Sequence, residues 1–226
     1  MKWRARGVAR RDLFAGGLAL MAQIAAGQAQ AQAPLVEAAA RGDLARLQAL
    51  LRGGADIEQR NAGGRTAVLA ATAGNHLEAV RALIARGADV NAQDRQRDSA
   101  FLLAGASGFT EIVRATLAAG ADLKSTNRYG GTALIPACHH GHVDTVRLLL
   151  TTPIEVDHVN NLGWTALLEA VILGDGGPAH TEIVRMLIEH KAGVNIADRD
   201  GVTPLQHATR RGQQNVARLL AKAGAR

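Results

Sequence analysis

A chain of 226 residues, 47% hydrophobic and only 3% aromatic, is long enough for one or two domains with a sizeable core, and its abundance of Ala, Leu and Gly favours helices packed through small aliphatic side chains. The formal net charge of +6 does not mark a nucleic-acid binder. Lys2, Arg4, Arg6, Arg10 and Arg11 crowd the N-terminus with only Asp12 beside them, and the chain without residues 1–31 carries +2.

Residues 1–12 are basic, residues 13–26 (LFAGGLALMAQIAA) are apolar, and GQAQAQAP follows, rich in small residues. That order is the layout of a secretory signal peptide, and the apolar run is too short to span a bilayer comfortably. A buried or amphipathic helix is the plainer alternative. Ala29-Gln30-Ala31 presents small residues at both recognition positions, and cleavage after Ala31 avoids placing Pro34 at the new N-terminus. The stretch ARRDLF, residues 9–14, resembles a twin-arginine export signal through Arg10 and Arg11. It departs from that pattern in Ala9 before the pair and in the reversed apolar order of Leu13 and Phe14. Twin-arginine and general secretory export both lead out of a bacterial cytoplasm. The expected location is the periplasm, with no membrane attachment after cleavage. A single cysteine, Cys138, fits, since it can form no internal disulfide.

From residue 33 onward one unit recurs. Aligned on a hydroxyl residue before a small-apolar pair, RTAVLAATAGNHLEAV, DSAFLLAGASGFTEIV, GTALIPACHHGHVDTV, WTALLEAVILG and VTPLQHATRRGQQNVA place Thr66, Ser99, Thr132, Thr165 and Thr203 at successive gaps of 33, 33, 33 and 38. A second marker keeps the same step: GAD at 54–56, 87–89 and 120–122, PIE at 153–155, KAG at 191–193 and GA at 224–225. The first copy, PLVEAAARGDLARLQALLRGGADIEQ, fits with Ala33 in the Thr position.

The unit resembles the ankyrin repeat across 33–226, most closely in TPLQHA at 203–208. The resemblance implies an all-α repeat solenoid of about six stacked helix-turn-helix repeats with connecting β-hairpin loops, at approximately 33–60, 61–93, 94–126, 127–159, 160–197 and 198–226. Within each copy the hydroxyl residue caps a first helix. Pro204 suits the first helical position, which Ala67, Ala100, Ala133 and Ala166 fill elsewhere. Gly108, Gly141 and Gly212, with Asn75, occupy an inter-helix position that needs positive φ. Val80, Leu83 and Ile84, and their equivalents Val146, Leu149, Leu150, Val184, Leu187 and Ile188, form an apolar stripe on the second helix. The end copies carry polar outer faces, as terminal repeats of a stack should. The capped array is expected to be monomeric.

ACHHGHVD, residues 137–144, concentrates metal-ligand side chains: Cys138, His139, His140 and His142. The register argues against a metal site. His142 follows the inter-helix glycine, where His76 stands in its own copy, and a structural hydrogen bond is the expectation. Cys138 shares a packing position with Thr72, Gly105, Val171 and Thr209. Glu169 and Asp175 read as isolated acids. No catalytic or P-loop motif occurs, so the chain reads as non-enzymatic, with no cofactor.

The family likeness implies protein binding through hairpin tips and the exposed side of the first helices. Carried over by position, the tips offer Arg95, Arg128, Tyr129, Asn161, Leu162, Trp164 and Arg199, and the helix ends offer His139, His140, Arg210 and Arg211. Tyr, Trp and Arg are the residue types most enriched at interface hot spots. Trp164 could instead pack back over the neighbouring hairpin. The insertion GDGGPAHT, 174–181, reads either as neutral drift or as a finger reaching a partner, with Ile172 and Leu173 extending the first helix before it. The expected function is binding or stabilising another protein in the periplasm. The alternative is a metal- or small-molecule-handling protein using His139, His140 and the 174–181 loop.

Overall fold

A computed structural model describes residues 33–226; the proposed signal peptide, 1–31, lies outside the described residues. Among the described residues, twelve helices follow one another in pairs. The inner helices are α1 (Pro34–Ala40), α3 (Ala67–Ala73), α5 (Ala100–Ser107), α7 (Leu134–His139), α9 (Ala166–Ile172) and α11 (Pro204–Arg210). The outer helices are α2 (Leu44–Arg52), α4 (Leu77–Ile84), α6 (Thr110–Ala118), α8 (Val143–Leu150), α10 (Pro178–Glu189) and α12 (Gln214–Lys222). Each inner helix packs on its own outer partner and on the inner helices of neighbouring pairs, and the outer helices pack likewise in a second row. No helix among the described residues is long and apolar enough to cross a membrane.

The inner row is held by small residues. Ala71, Ala104, Ala137, Ala170 and Ala208 are all buried, and a Cβ added to Gly105 would lie 2.8 Å from the Cβ of Ala133. Inner helices therefore approach closely enough that one methyl group matters. The outer helices supply the larger apolar side chains, such as Val80, Leu83, Val146, Leu149, Val184 and Leu187, all buried between the two rows.

The inter-helix position does two jobs. Gly108 is left-handed at φ 72°, and a Cβ there would sit 2.5 Å from the His142 ring of the next repeat. That imidazole bridges repeats: His142 Nε2 lies 3.2 Å from the Ala106 carbonyl, His76 Nε2 3.2 Å from the Ala40 carbonyl, and His180 Nε2 2.9 Å from the His139 carbonyl. Gln213 takes this role in the last repeat, donating to the carbonyls of Val171 and Gly174 at 3.0 and 3.1 Å. The structural hydrogen bond expected of His142 is present.

The tips form no strands among the described residues. Each is closed by an Asx side chain that accepts two backbone N–H groups, two and four residues ahead. Asn61, Asp94, Asn127, Asn160 and Asp198 do this in turn, with N–H···O distances from 2.8 to 3.1 Å. Two backbone bonds then close each turn, as from Asn160 N–H to the Trp164 carbonyl at 3.0 Å and from Gly163 N–H to the Asn160 carbonyl at 2.9 Å. The expected hairpin loops are therefore present as tight turns, each braced by an Asx side chain where longer flanking strands would otherwise hold it.

Two expectations are corrected. The first concerns the helix caps. Thr66, Ser99, Thr165 and Thr203 each accept from the N–H three residues on, and Thr203 completes a capping box with Gln206. Thr132 does not: its buried hydroxyl finds no partner. The cause is Pro136. In the other repeats the N–H four residues on donates to the carbonyl of the hydroxyl residue, as Ala70 N–H does to Thr66. Proline has no N–H, so Ile135 N–H turns to the Thr132 carbonyl at 3.3 Å and the hydroxyl is left over.

The second concerns the insertion. It is not a finger, and α9 is not extended. The inner helix ends at Ile172, while α10 runs to 12 residues where the other outer helices have 8 or 9. Asp175 Oδ1 accepts from Gly177 N–H at 2.8 Å and holds His180 Nδ1 at 2.8 Å, which aims the imidazole at the preceding repeat.

The caps give a paired test by urea unfolding. Thr66→Val should lower stability by about 1 kcal/mol through loss of an N-cap bond. Thr132→Val keeps the shape and deletes only an unmatched hydroxyl, so stability should stay level or rise. Equal losses at both positions would contradict the Pro136 account.

Candidate functional site

Stacking sets the tips of the third, fourth and fifth repeats beside α5, α7 and α9, and a groove of about 440 Å³ lies between them. Tyr129 and Leu162 stand on its tip side, with Asp98 and Arg128. Leu103 and Ala106 come from α5, Pro136 and His139 from α7, and Glu169 from α9, with Leu173 just past that helix end. Four large hydrophobic residues are exposed among the described residues, and three of them line this groove: Tyr129 at 52%, Leu162 at 46% and Leu173 at 41%.

Of the site residues expected from sequence, five converge here: Arg128, Tyr129, His139, His140 and Leu162. The Arg128 guanidinium lies 4.7 Å above the Tyr129 ring and donates to Gln96 Oε1 at 2.7 Å, with Asp98 Oδ2 at 3.7 Å. Arg128 is thus drawn back along the tips toward the third repeat. His139 and His140 stack face to face at 4.2 Å between ring centres.

The other six lie outside the groove lining. Arg95 is exposed, with its stem against Gly64. Asn161 packs against Gly130, and its N–H donates to the Tyr129 carbonyl at 2.9 Å. Arg199 donates to the Asn161 carbonyl at 2.7 Å, tying two tips together. Trp164 is half-buried. Arg210 is exposed at the end of α11, and Arg211 donates to the Gly174 carbonyl at 3.4 Å.

Sequence reasoning missed Glu169. It sits on the groove floor, 7% exposed, with Oε1 accepting from Asn160 Nδ2 at 2.9 Å and Oε2 3.7 Å from His139 Nδ1. The signal was available: Glu169 lies nine residues after the Asx that closes its tip. Asp198 and His207 have the same spacing and meet at 2.7 Å in the last repeat. Burial pushes the Glu169 carboxyl above its ordinary range, against the Asn160 hydrogen bond. Burial also pulls His139 below the usual imidazole value, helped by His140 and His180.

Burial first, and the Glu169 charge second, push the Cys138 thiol far up, so it offers no thiolate nucleophile. No group of three or more His, Cys, Asp or Glu side chains able to hold a metal occurs among the described residues. In the 174–181 segment, His180 is engaged by Asp175 and the His139 carbonyl.

Known proteins share this architecture. The family profile described as "Ankyrin repeats (3 copies)" matches residues 18–94, 35–127, 101–176 and 172–226. An ankyrin repeat domain from Acinetobacter baumannii AYE is similar at 52% identity and a TM-score of 0.83, covering 85% of this chain and 98% of that one. The ankyrin repeat protein EF0377 is similar at 38% identity and a TM-score of 0.80, covering 84% of this chain and 96% of that one. The putative ankyrin repeat protein YahD of Escherichia coli (strain K12) is 46% identical over 57 residues, which is 25% of this chain and 28% of that relative.

The buried carboxyl has a measurable consequence. Its pKa is raised in the folded state, so the ionised form weakens folding at neutral pH and the penalty fades as pH falls through the folded pKa. Glu169→Gln retains an acceptor for Asn160 and should be at least as stable as wild type at pH 7, with the difference narrowing toward pH 4.5. A variant clearly less stable than wild type at pH 7 would show that the carboxylate is stabilising.

Proposed function

Since the chain belongs to the ankyrin-repeat family, whose repeats mediate protein–protein interactions, we propose that it is a non-enzymatic binding protein that docks another protein in the groove between its third, fourth and fifth tips and α5, α7 and α9. The observation that carries this reading is the gathering of Tyr129, Leu162 and Leu173 into one groove. Isolated exposed apolar residues are ordinary, but grouped ones rimmed by polar side chains mark binding surfaces. Tyr129 with Arg128 packed over its ring forms an anchor of the kind that dominates interface energies. Inserted between rigid stacked helices, such a surface binds without much reordering of the backbone.

The periplasm is the proposed place of action. The support is the basic, apolar and small-residue order of residues 1–31. The partner is then another exported protein, which this chain binds or stabilises as a monomer.

Two measurements bear on these readings. Quantitative co-purification from a periplasmic extract should recover a partner on wild type and on a Lys222→Ala control. The Tyr129→Ala/Leu162→Ala double variant should bind that partner about 30-fold or more weakly, as expected when interface anchors are truncated. Equal recovery on all three would place the binding face elsewhere. Separately, cell fractionation with N-terminal sequencing should find the protein in the periplasm beginning at Gln32. An intact N-terminus in the cytoplasm would overturn the export reading.

A further inference from the structure

The groove floor carries a charge that its walls leave partly unmet. Glu169 is almost wholly buried, and only Oε1 accepts a hydrogen bond, from Asn160. Among the described residues, Oε2 accepts no hydrogen bond; Nδ1 of His139 lies 3.7 Å away, on a ring whose protonation burial disfavours. A buried carboxylate in this state bears a desolvation cost that an incoming donor relieves. Asp98, on the tip side, adds a second carboxyl, raised by its own burial and by Asp94 while Arg128 and Arg65 pull it down. Arg128 does not answer Glu169: its donors face Gln96 and Asp98, and its plane covers Tyr129. The groove therefore holds two acids and one cation already engaged, within an apolar rim.

Resting on the reading of this groove as a protein-docking surface, we propose that it accepts a segment of the partner bearing an arginine or lysine beside an apolar residue. The cation seats on Glu169 Oε2, and the apolar neighbour packs among Tyr129, Leu162 and Leu173. Charge complementarity selects this occupant. An acidic segment would meet the Glu169 carboxylate, which no cation of the groove answers, and a purely apolar one would bury the free carboxylate oxygen beneath it. A long aliphatic stem with a charged end matches a groove that is apolar at the rim and anionic at the floor. Guanidinium is the better fit, since its fork of donors can satisfy a carboxylate oxygen and still reach a neighbouring acceptor.

The test is selection of a displayed random-peptide library on wild-type protein, on Glu169→Gln and on Tyr129→Ala/Leu162→Ala, each first shown to be folded by circular dichroism. Wild type should enrich peptides pairing Arg or Lys with an apolar residue. A synthetic copy of the best peptide should bind Glu169→Gln at least about tenfold more weakly than wild type. Replacing its arginine by neutral citrulline, or its lysine by acetyl-lysine, should cost as much on wild type and little further on Glu169→Gln. If enriched peptides lack a cation, or if these replacements leave affinity unchanged, the cation inference falls while the groove reading stands. If wild type enriches nothing, or the Tyr129→Ala/Leu162→Ala protein enriches the same peptides, the groove reading itself falls. Should Glu169→Gln fail the folding check, the neutral-peptide comparison on wild type decides alone.

Discussion

Everything in this molecule depends on how closely one inner helix can lie against the next. A single helix pair exposes an apolar face on each side and cannot cover either alone, so each repeat is completed by its neighbours. The alanines of the inner row and Gly105 set the approach. Imidazole bridges then lock three of the outer turns to the repeat before them, through His76, His142 and His180. With the helices so fixed, the tips have one place to go, and the groove follows as the space between tips and inner helices. The geometry of the groove is thus inherited from packing: no loop has to find its position by itself.

The tips are ordered from within by polar side chains and not by a sheet. Asn61, Asp94, Asn127, Asn160 and Asp198 each consume two backbone N–H groups that would otherwise need water or a strand. Asn160 has one group to spare, its Nδ2 donor, and directs it to Glu169. The residue that shapes the tip therefore also orients the buried acid on the groove floor. Arg199, reaching the Asn161 carbonyl, shows that a tip cation can serve the scaffold before it serves any visitor.

The fold was legible because two markers kept one step along the whole array, and that periodicity survives even where individual positions depart from the pattern. Positive φ at Asn75 and Gly108, and the bridge made by His142, could be read from register alone. What escaped depends on relations across the register. The uncapped Thr132 follows from Pro136, a residue that looks harmless when the hydroxyl position is read in isolation. Glu169 seemed a lone acid because its partner is nine residues back on a tip, and the Asx turns had not been recognised. The groove gathers Arg128, Tyr129, His139, His140 and Leu162, but Trp164 is half-buried and stands apart from it. Neighbouring positions on consecutive tips need not face the same space once each side chain has its own packing.

The lengthened α10 shows where this architecture is elastic. Extra chain has been taken up as added helix at the outer wall, while His180 still grips the His139 carbonyl and Gln213 still reaches Val171. The ladder keeps its rungs evenly spaced although one upright has been made longer. Growth along α10 leaves the groove residue Leu173 and the Gly174 carbonyl used by Gln213 and Arg211 in place, so a change of length in one repeat is absorbed by the outer row of helices without breaking the bonds between repeats.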